Sequence, residues 1–288
     1  MSRPTSNRGF SVRIFLPDGD PDGIKVVEKS NWTGCGLVVP RALFAEAKSR
    51  PELARAGVYV LVGQAESSPL PQVYVGEGDP VRPRLEQHAK LKDFWTHAVV
   101  FTSKDQNLNK AHVQRLEARM VDLARASKRC VLDNSNVPQA PSLSEADTAE
   151  VEGFLADVLL CLPTLGYGFF ESAPAAAPRA PMLLIKAKGI EASGFETAKG
   201  FVVRAGSRAV KKEVASIHAY MTEIRAELVR QGVFADRGAT YELTQDYTFS
   251  SPSTAAGVLL GRTANGRAEW KTPDGQTLKS IQDAEVAA

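Results

Sequence analysis

Short apolar runs broken by turn-forming clusters dominate the first third of the chain, and the spacing within each run separates strands from helices. Residues 11–17 and 24–28 read as strands joined through Asp18-Gly-Asp-Pro-Asp-Gly23, a plain turn because the glutamate that closes a calcium loop is missing. Residues 36–39 read as another short strand before a helix from Pro40 to about Lys48. Val58–Val62 and Gln72–Val75 follow as strands separated by a polar loop. A helix near 80–90, a strand at 98–102 and a long helix from about 107 to 126 come next. Strands interleaved with helices in this way predict an α/β (α+β) fold, a small mixed sheet flanked by helices.

Beyond the turn-rich Asn134-Ser-Asn-Val-Pro138, Ser144 precedes an acid by three positions and opens a helix over about 145–161. Its Val151, Phe154, Leu155, Val158, Leu159 and Leu162 recur at helical spacing, so one face should be buried. Ser172-Ala-Pro-Ala-Ala-Ala-Pro-Arg-Ala-Pro181 has no apolar period and reads as an extended linker. Strands at 182–187, 200–205 and 241–247 then alternate with an amphipathic helix over 213–231, stopped by Gly232. Ser251-Pro252 caps a small-residue helix through Leu260. Glu269–Lys271 and Gln276–Leu278, on either side of Pro273-Asp-Gly275, read as a hairpin. The boundaries that result are an N-terminal hairpin and helix extension over 1–55, a core domain over 56–171, a linker over 172–182 and a second small α+β domain over 183–288.

The chain has 288 residues, 43 % of them apolar and 24 % charged, which is ordinary globular usage and excludes disordered, collagen-like and coiled-coil classes. A net charge of +2 implies no polyanion partner by itself. Residues 135–182 hold 6 acids against 1 base, while the other three segments are mildly basic. Three cysteines lie far apart without metal or disulfide spacing, which suits a reducing compartment. No stretch has a secretory leader's apolar run or approaches the roughly 20 apolar residues of a membrane span. The expectation is a cytoplasmic protein without membrane contact.

The candidate chemistry sits in the middle of the chain. Gly57-Val-Tyr59 lies in one expected strand and Tyr74-Val-Gly76 in the next. Arg84 follows Tyr74 by 10 residues, Glu117 lies on the long helix, and Asn134 comes after it. These five elements, in this order and on these elements, resemble the GIY-YIG nuclease family over about residues 55–137. Trp32-Thr-Gly34, Pro40-Arg41, Asp93-Phe-Trp95 and Lys110-Ala-His112 are similar to a bacterial subgroup in which this nuclease domain precedes an uncharacterised C-terminal domain.

The resemblance implies a metal-dependent endonuclease that hydrolyses DNA by water attack. It implies Tyr59 as general base, Tyr74 as a hydrogen-bonding partner of water or phosphate, and Glu117 as the ligand of one Mg²⁺ or Mn²⁺. The residue types suit that task, because water must be deprotonated, phosphate charge stabilised and the leaving oxygen neutralised. Arg84 offers a planar fork for phosphate oxygens and shares a helix face with His88 at i,i+4 spacing, where His88 can orient water or shuttle a proton. Gly76 would admit backbone or substrate closely. Arg82, Lys110 and His112 are candidate substrate contacts, and Lys110 precedes Glu117 by seven residues. Asn134, with Asn136 as the alternative, would hydrogen-bond near the site.

The chain departs from the pattern at Glu77, where several repair nucleases resemble one another in having lysine. A carboxylate there weakens phosphate attraction, adds a metal ligand or caps a helix. The C-terminal Phe249-Ser-Ser-Pro-Ser-Thr-Ala-Ala256 and Gly261-Arg-Thr-Ala-Asn-Gly266 read as a close-packed core. Arg262, Arg267, Lys271 and Trp270 offer a basic, aromatic nucleic-acid surface as the other reading, and this domain could also hold a protein partner or a second copy. The alternative function is a non-catalytic nucleic-acid or protein-binding module on the same fold. A phosphoryl transferase is disfavoured by the lack of a GxxxxGK[ST] loop.

Overall fold

The computed structural model describes residues 9–105, 107–136, 138–171, 173 and 180–287. They form a mixed α+β protein that divides near Glu171 into two compact units. Most of the expected linker over 172–182 lies outside the described residues.

The first unit is built on β1 (Val12–Phe15), β2 (Lys25–Lys29), β3 (Gly34–Pro40), the short α1 (Phe44–Ala47), β4 (Gly57–Gln64), β5 (Pro71–Gly78), α2 (Arg82–Leu91), β6 (Trp95–Ser103), α3 (Lys110–Ser127), β7 (Val131–Leu132) and α4 (Glu145–Thr164). Its seven strands form one sheet in the order β1-β2-β3-β6-β4-β5-β7, antiparallel throughout except for the parallel β5–β7 pair. The first three strands therefore continue the central sheet through β3–β6.

Strand β4 is buried on both faces, which explains why it reads as an unbroken apolar run. Val58, Val60 and Val62 join Leu116, Met120 and Val121 of α3 and Val151, Leu155 and Val158 of α4 in one core. Tyr59 and Leu61, on the opposite face, pack with Phe44, Leu53 and Leu85 in another. The expected caps are present: the Ser144 side chain accepts from the Asp147 backbone N–H at 3.1 Å. Asn109 likewise caps α3, accepting from His112 N–H at 3.0 Å.

The second unit holds β8 (Leu183–Ala187), β9 (Ile190–Thr197), β10 (Gly200–Val203), β11 (Arg208–Val210), α5 (Ala219–Arg230), β12 (Phe234–Asp236), β13 (Thr240–Leu243), β14 (Tyr247–Phe249), α6 (Pro252–Leu260), α7 (Gly266–Glu269) and α8 (Leu278–Ala287). The strands make a sheet in the order β14-β10-β9-β8 and a smaller one in the order β11-β13-β12. Helix α6 is buried from Thr254 to Leu260.

Several sequence expectations for this unit are corrected. The strand over 241–247 is two strands belonging to different sheets. The helix over 213–231 begins only at Ala219, because Glu213 is held by Thr222 at 2.9 Å and by the buried Arg225 at 2.8 Å. The expected hairpin around Pro273-Asp-Gly275 is a turn with single bridges, Leu184 to Lys271 and Lys271 to Thr277. The chain on one side is α7 and on the other α8, because Leu278 and Ile281, one helical turn apart, pack into the core.

Trp270 is fully buried, its ring 4.4 Å from that of Phe201 and its indole N–H donated to the Pro252 carbonyl at 3.0 Å. It offers no face for a base. Arg262 pairs with Glu269 at 2.6 Å and Arg267 with Asp283 at 2.7 Å. The close-packed reading of this stretch holds, and the basic, aromatic surface given as the other reading lacks its ring, since packing claims Trp270 and acids pair with both guanidinium groups.

Candidate functional site

Alternation along β4 and β5 settles which side chains meet. Tyr59 pairs in register with Gly76, and Leu61 with Tyr74, so Tyr59, Gly76 and Tyr74 share one face of the sheet. Helix α2 covers that face. Its His88 is buried, and His88 Nε2 lies 2.8 Å from the Tyr59 hydroxyl. The His88 ring also packs 4.7 Å from Tyr74 and 5.8 Å from Tyr59, centroid to centroid. The other ring nitrogen, Nδ1, is buried with no hydrogen-bond partner among the described residues.

Glu77, one residue further, points to the opposite face, where α3 lies. Lys110 donates to both Glu77 carboxylate oxygens, at 2.5 and 2.7 Å. This is the role of the unexpected glutamate: it is neither a helix cap nor a free acid, but the partner of Lys110. Glu117 sits half-buried on α3 near this pair and has no hydrogen bond or ion pair among the described residues. Arg84 is exposed at the start of α2, donating to Gln87 at 2.8 Å. It is the charge that acts on both faces, favouring the ionised forms of Tyr59, Tyr74 and Glu117 alike.

The electrostatics follow from burial. Burial, then the neighbouring Tyr74, pushes the Tyr59 phenol far above its usual range, against the pull of Arg84. Burial and Glu117 also raise Tyr74. His88 is driven down to about 4 by burial and by the charges of Arg84 and Lys92, so it is neutral at physiological pH. Glu117 is pushed up to about 7 by burial and by Glu77, with Arg84 and Lys110 opposing.

Asn134 has a positioning role. Its side chain accepts from the Val75 N–H at 2.9 Å and donates to the Val75 carbonyl at 2.7 Å. Strand β7 pairs only with Gln72 and Val73, so the Asn134 amide extends the ladder by one residue, beside Tyr74 and Gly76. Replacing Asn134 by leucine is expected to leave both Val75 groups unpaired, at a cost of about 2 kcal/mol in denaturant unfolding.

The structure thus brings together Tyr59, Tyr74, Gly76, Arg84, His88, Glu117, Asn134 and Lys110. It does not bring in His112, whose Nε2 faces Asp147 at 3.4 Å and whose Nδ1 lies 3.1 Å from the Asn107 carbonyl. His112 lines a separate cleft of about 320 Å³ with Trp32 and Phe154. Arg82 is half-buried at the first position of α2, with its Nε lacking a partner, and nothing ties it to the tyrosines. Asn136 is exposed.

Two residues went unnoticed in the sequence. Lys92 sits 4.5 Å from the Tyr74 ring centroid and pairs with Asp133, which also accepts from Gln72 at 3.0 Å. The i,i+4 spacing of His88 and Lys92 was the available signal.

Residues 183–282 match a family described as a domain of unknown function, DUF4357. That stretch lies within the second unit and assigns no activity to the chain. No curated protein and no solved structure matches.

Among the described residues no group of three or more His, Cys, Asp or Glu side chains is placed to hold a metal ion. A cation would therefore have to rely on few protein ligands. Glu117 suits such an ion, because its carboxylate is partly exposed, uncommitted and electrostatically strained by Glu77. Among the described residues no helix is long and apolar enough to cross a membrane. None of the three cysteines forms a disulfide; all are buried, and burial raises each thiol above its ordinary value.

Proposed function

We propose that the first unit is a GIY-YIG-type, metal-dependent endonuclease that hydrolyses DNA phosphodiester bonds. The observation that carries this reading is the Tyr59–His88 contact at 2.8 Å, set beside Tyr74 and Arg84 and coupled to an uncommitted Glu117.

Each residue has a part that its surroundings make possible. Neutral His88 fixes the orientation of the Tyr59 oxygen through Nε2, and once the phenol has given up its proton to solvent that oxygen can accept one from the attacking water. Burial holds the Tyr59 phenol far above its usual range even with Arg84 nearby, and Arg84 is the neighbouring charge that works in favour of the phenolate. Arg84 also presents two N–H groups to the phosphate oxygens. Tyr74, its ring in contact with His88 and Lys92, offers a hydroxyl to water or phosphate. Glu117 would hold Mg²⁺ or Mn²⁺, and the chemistry such an ion supplies is neutralisation of the charge that develops at the phosphate and the leaving oxygen.

A second reading is supported by one specific observation: Tyr59 is fully buried, as a purely structural tyrosine would be. In that reading the unit is a nucleic-acid or protein-binding module without catalysis. The test is cutting of labelled single-stranded, double-stranded and branched DNA with Mg²⁺, Mn²⁺ or EDTA. Cutting is expected only with the divalent ions, and Tyr59→Phe is expected to lower it by about 10²–10⁴-fold. Tyr59→Phe also leaves His88 without a partner on either nitrogen, a loss of about 1–2 kcal/mol in stability. Folded wild type that binds DNA in a salt-sensitive manner and never cuts it would establish the second reading.

A further inference from the structure

Seven arginines lie within residues 183–287. Six of them, Arg204, Arg225, Arg230, Arg237, Arg262 and Arg267, each hold a carboxylate. Arg208 is the exception. It is exposed on β11, directly across from Glu242 in the ladder, where an ion pair would be expected. Arg237 has taken that carboxylate, donating to Glu242 Oε1 at 3.1 Å. Among the described residues the Arg208 guanidinium has no ion pair and no hydrogen bond.

The uncommitted guanidinium borders a cleft of the second unit of about 660 Å³. Lys186 also lines the cleft, in an exposed pair with Glu191 at 2.9 Å of the kind that contributes little and opens readily. Between them lie two serines and backbone. Ser207 is committed, accepting from the Ser193 N–H at 3.0 Å and donating to the Ser193 carbonyl. The Ser193 hydroxyl has no partner among the described residues and is free to donate. Gly189 and Gly206, both at positive φ, also line the cleft, with open space where a Cβ would stand. The lining contains no aromatic ring and only one carboxylate.

We propose that this cleft grips the phosphodiester backbone of a single-stranded nucleic acid, with Arg208 as the principal phosphate contact. A guanidinium fork matches two phosphate oxygens, a hydroxyl can complete the set, and Lys186 adds charge once its surface pair opens. The volume suits a few groups of one strand rather than the width of a duplex. Without aromatic or base-reading side chains the grip is independent of sequence. The choice of nucleic acid over other phosphate esters rests on the nuclease reading of the first unit; the anion preference does not.

The test is fluorescence anisotropy of labelled oligothymidine with the full-length chain in EDTA, titrated with salt. Oligouridine serves as a second strand and inorganic phosphate as a competitor. Arg208→Ala is expected to weaken strand binding about tenfold and to reduce the salt slope by about one. Arg208→Lys should fall between Arg208→Ala and wild type, and Lys279→Ala, on α8, should match wild type. Equal binding and equal slope for Arg208→Ala overturn the proposal, as does a folded wild-type chain that binds neither strand. Displacement of the oligomers by inorganic phosphate below millimolar concentration also overturns it, because the cleft would then serve free phosphate. Arg208-dependent binding by a protein that never cuts sinks only the nuclease reading. Arg208-independent binding by a protein that does cut sinks only this one.

Discussion

Glu117→Ala is expected to lower divalent-dependent DNA cutting by about a thousandfold while leaving the fold intact. Most buried or half-buried acids cannot be removed so cleanly, because a partner is left unpaired. Glu117 has no such partner, and the neighbouring Lys110 is already committed to Glu77. The same strain fixes the sign of the pH dependence. Burial and Glu77 hold the folded carboxyl at about 7, against an ordinary 4.5. Between those values the folded state binds more protons than the unfolded chain, so this group makes stability fall as pH rises and exerts its full penalty above about 7. Metal-free Glu117→Gln should therefore be more stable than wild type at pH 8, with the gain fading towards pH 4.5. Binding of Mg²⁺ must release a proton below pH 7, so its apparent affinity should drop about tenfold per pH unit there. Urea unfolding of both proteins across this range, with Mg²⁺ titrations, checks both signs. A Glu117→Ala protein that cuts as fast as wild type would remove the metal role altogether.

Gly76→Ala carries the largest expected loss of stability. A Cβ built on Gly76 would stand 2.4 Å from the Tyr59 hydroxyl oxygen and 2.5 Å from Cζ, nearer than real contacts allow. Tyr59 cannot retreat, because its ring is fully buried and its hydroxyl is held by His88. Overpacking of this kind costs about 3 kcal/mol, a fall in Tm of roughly 6–12 °C for a unit of this size. Activity should vanish with it, since the tyrosine moves before the backbone does. Tyr59→Leu in the Gly76→Ala background removes the clashing atoms and should recover much of the stability, though no cutting. Thermal unfolding of the two single variants and the double variant yields the coupling between the positions. Additive losses would show that the glycine is needed for some other reason.

The elements of the first unit were largely legible in the sequence because strand alternation, helix caps and turn chemistry act between residues a few positions apart. The strands at 58–62 and 72–75 are present and longer than expected, and the helix near 80–90 is present, shifted slightly towards the C-terminus. Gly232 ends α5 at positive φ, and the Ser251 side chain caps α6 by accepting from the Thr254 N–H. The order of Tyr59, Tyr74, Arg84, His88 and Glu117 on those elements could also be read, and with it the shared face of Arg84 and His88.

Tertiary packing decided the rest, since it concerns partners far apart in the chain. Glu77 and Lys110 are 33 residues apart, Lys92 and Asp133 are 41, and Asn134 clamps Val75 across 59. In the second unit, local pattern suggested a hairpin and left Trp270 between a packed core and a nucleic-acid surface, whereas burial of Leu278 in the core turned one flank into a helix and contact with Phe201 buried Trp270. Local patterning thus specifies which elements form and which face of each is apolar. Which charges are neutralised, and which are left to act on a ligand, depends on the acids that folding brings within reach, as Glu77 is for Lys110 and Glu242 is for Arg237 rather than Arg208.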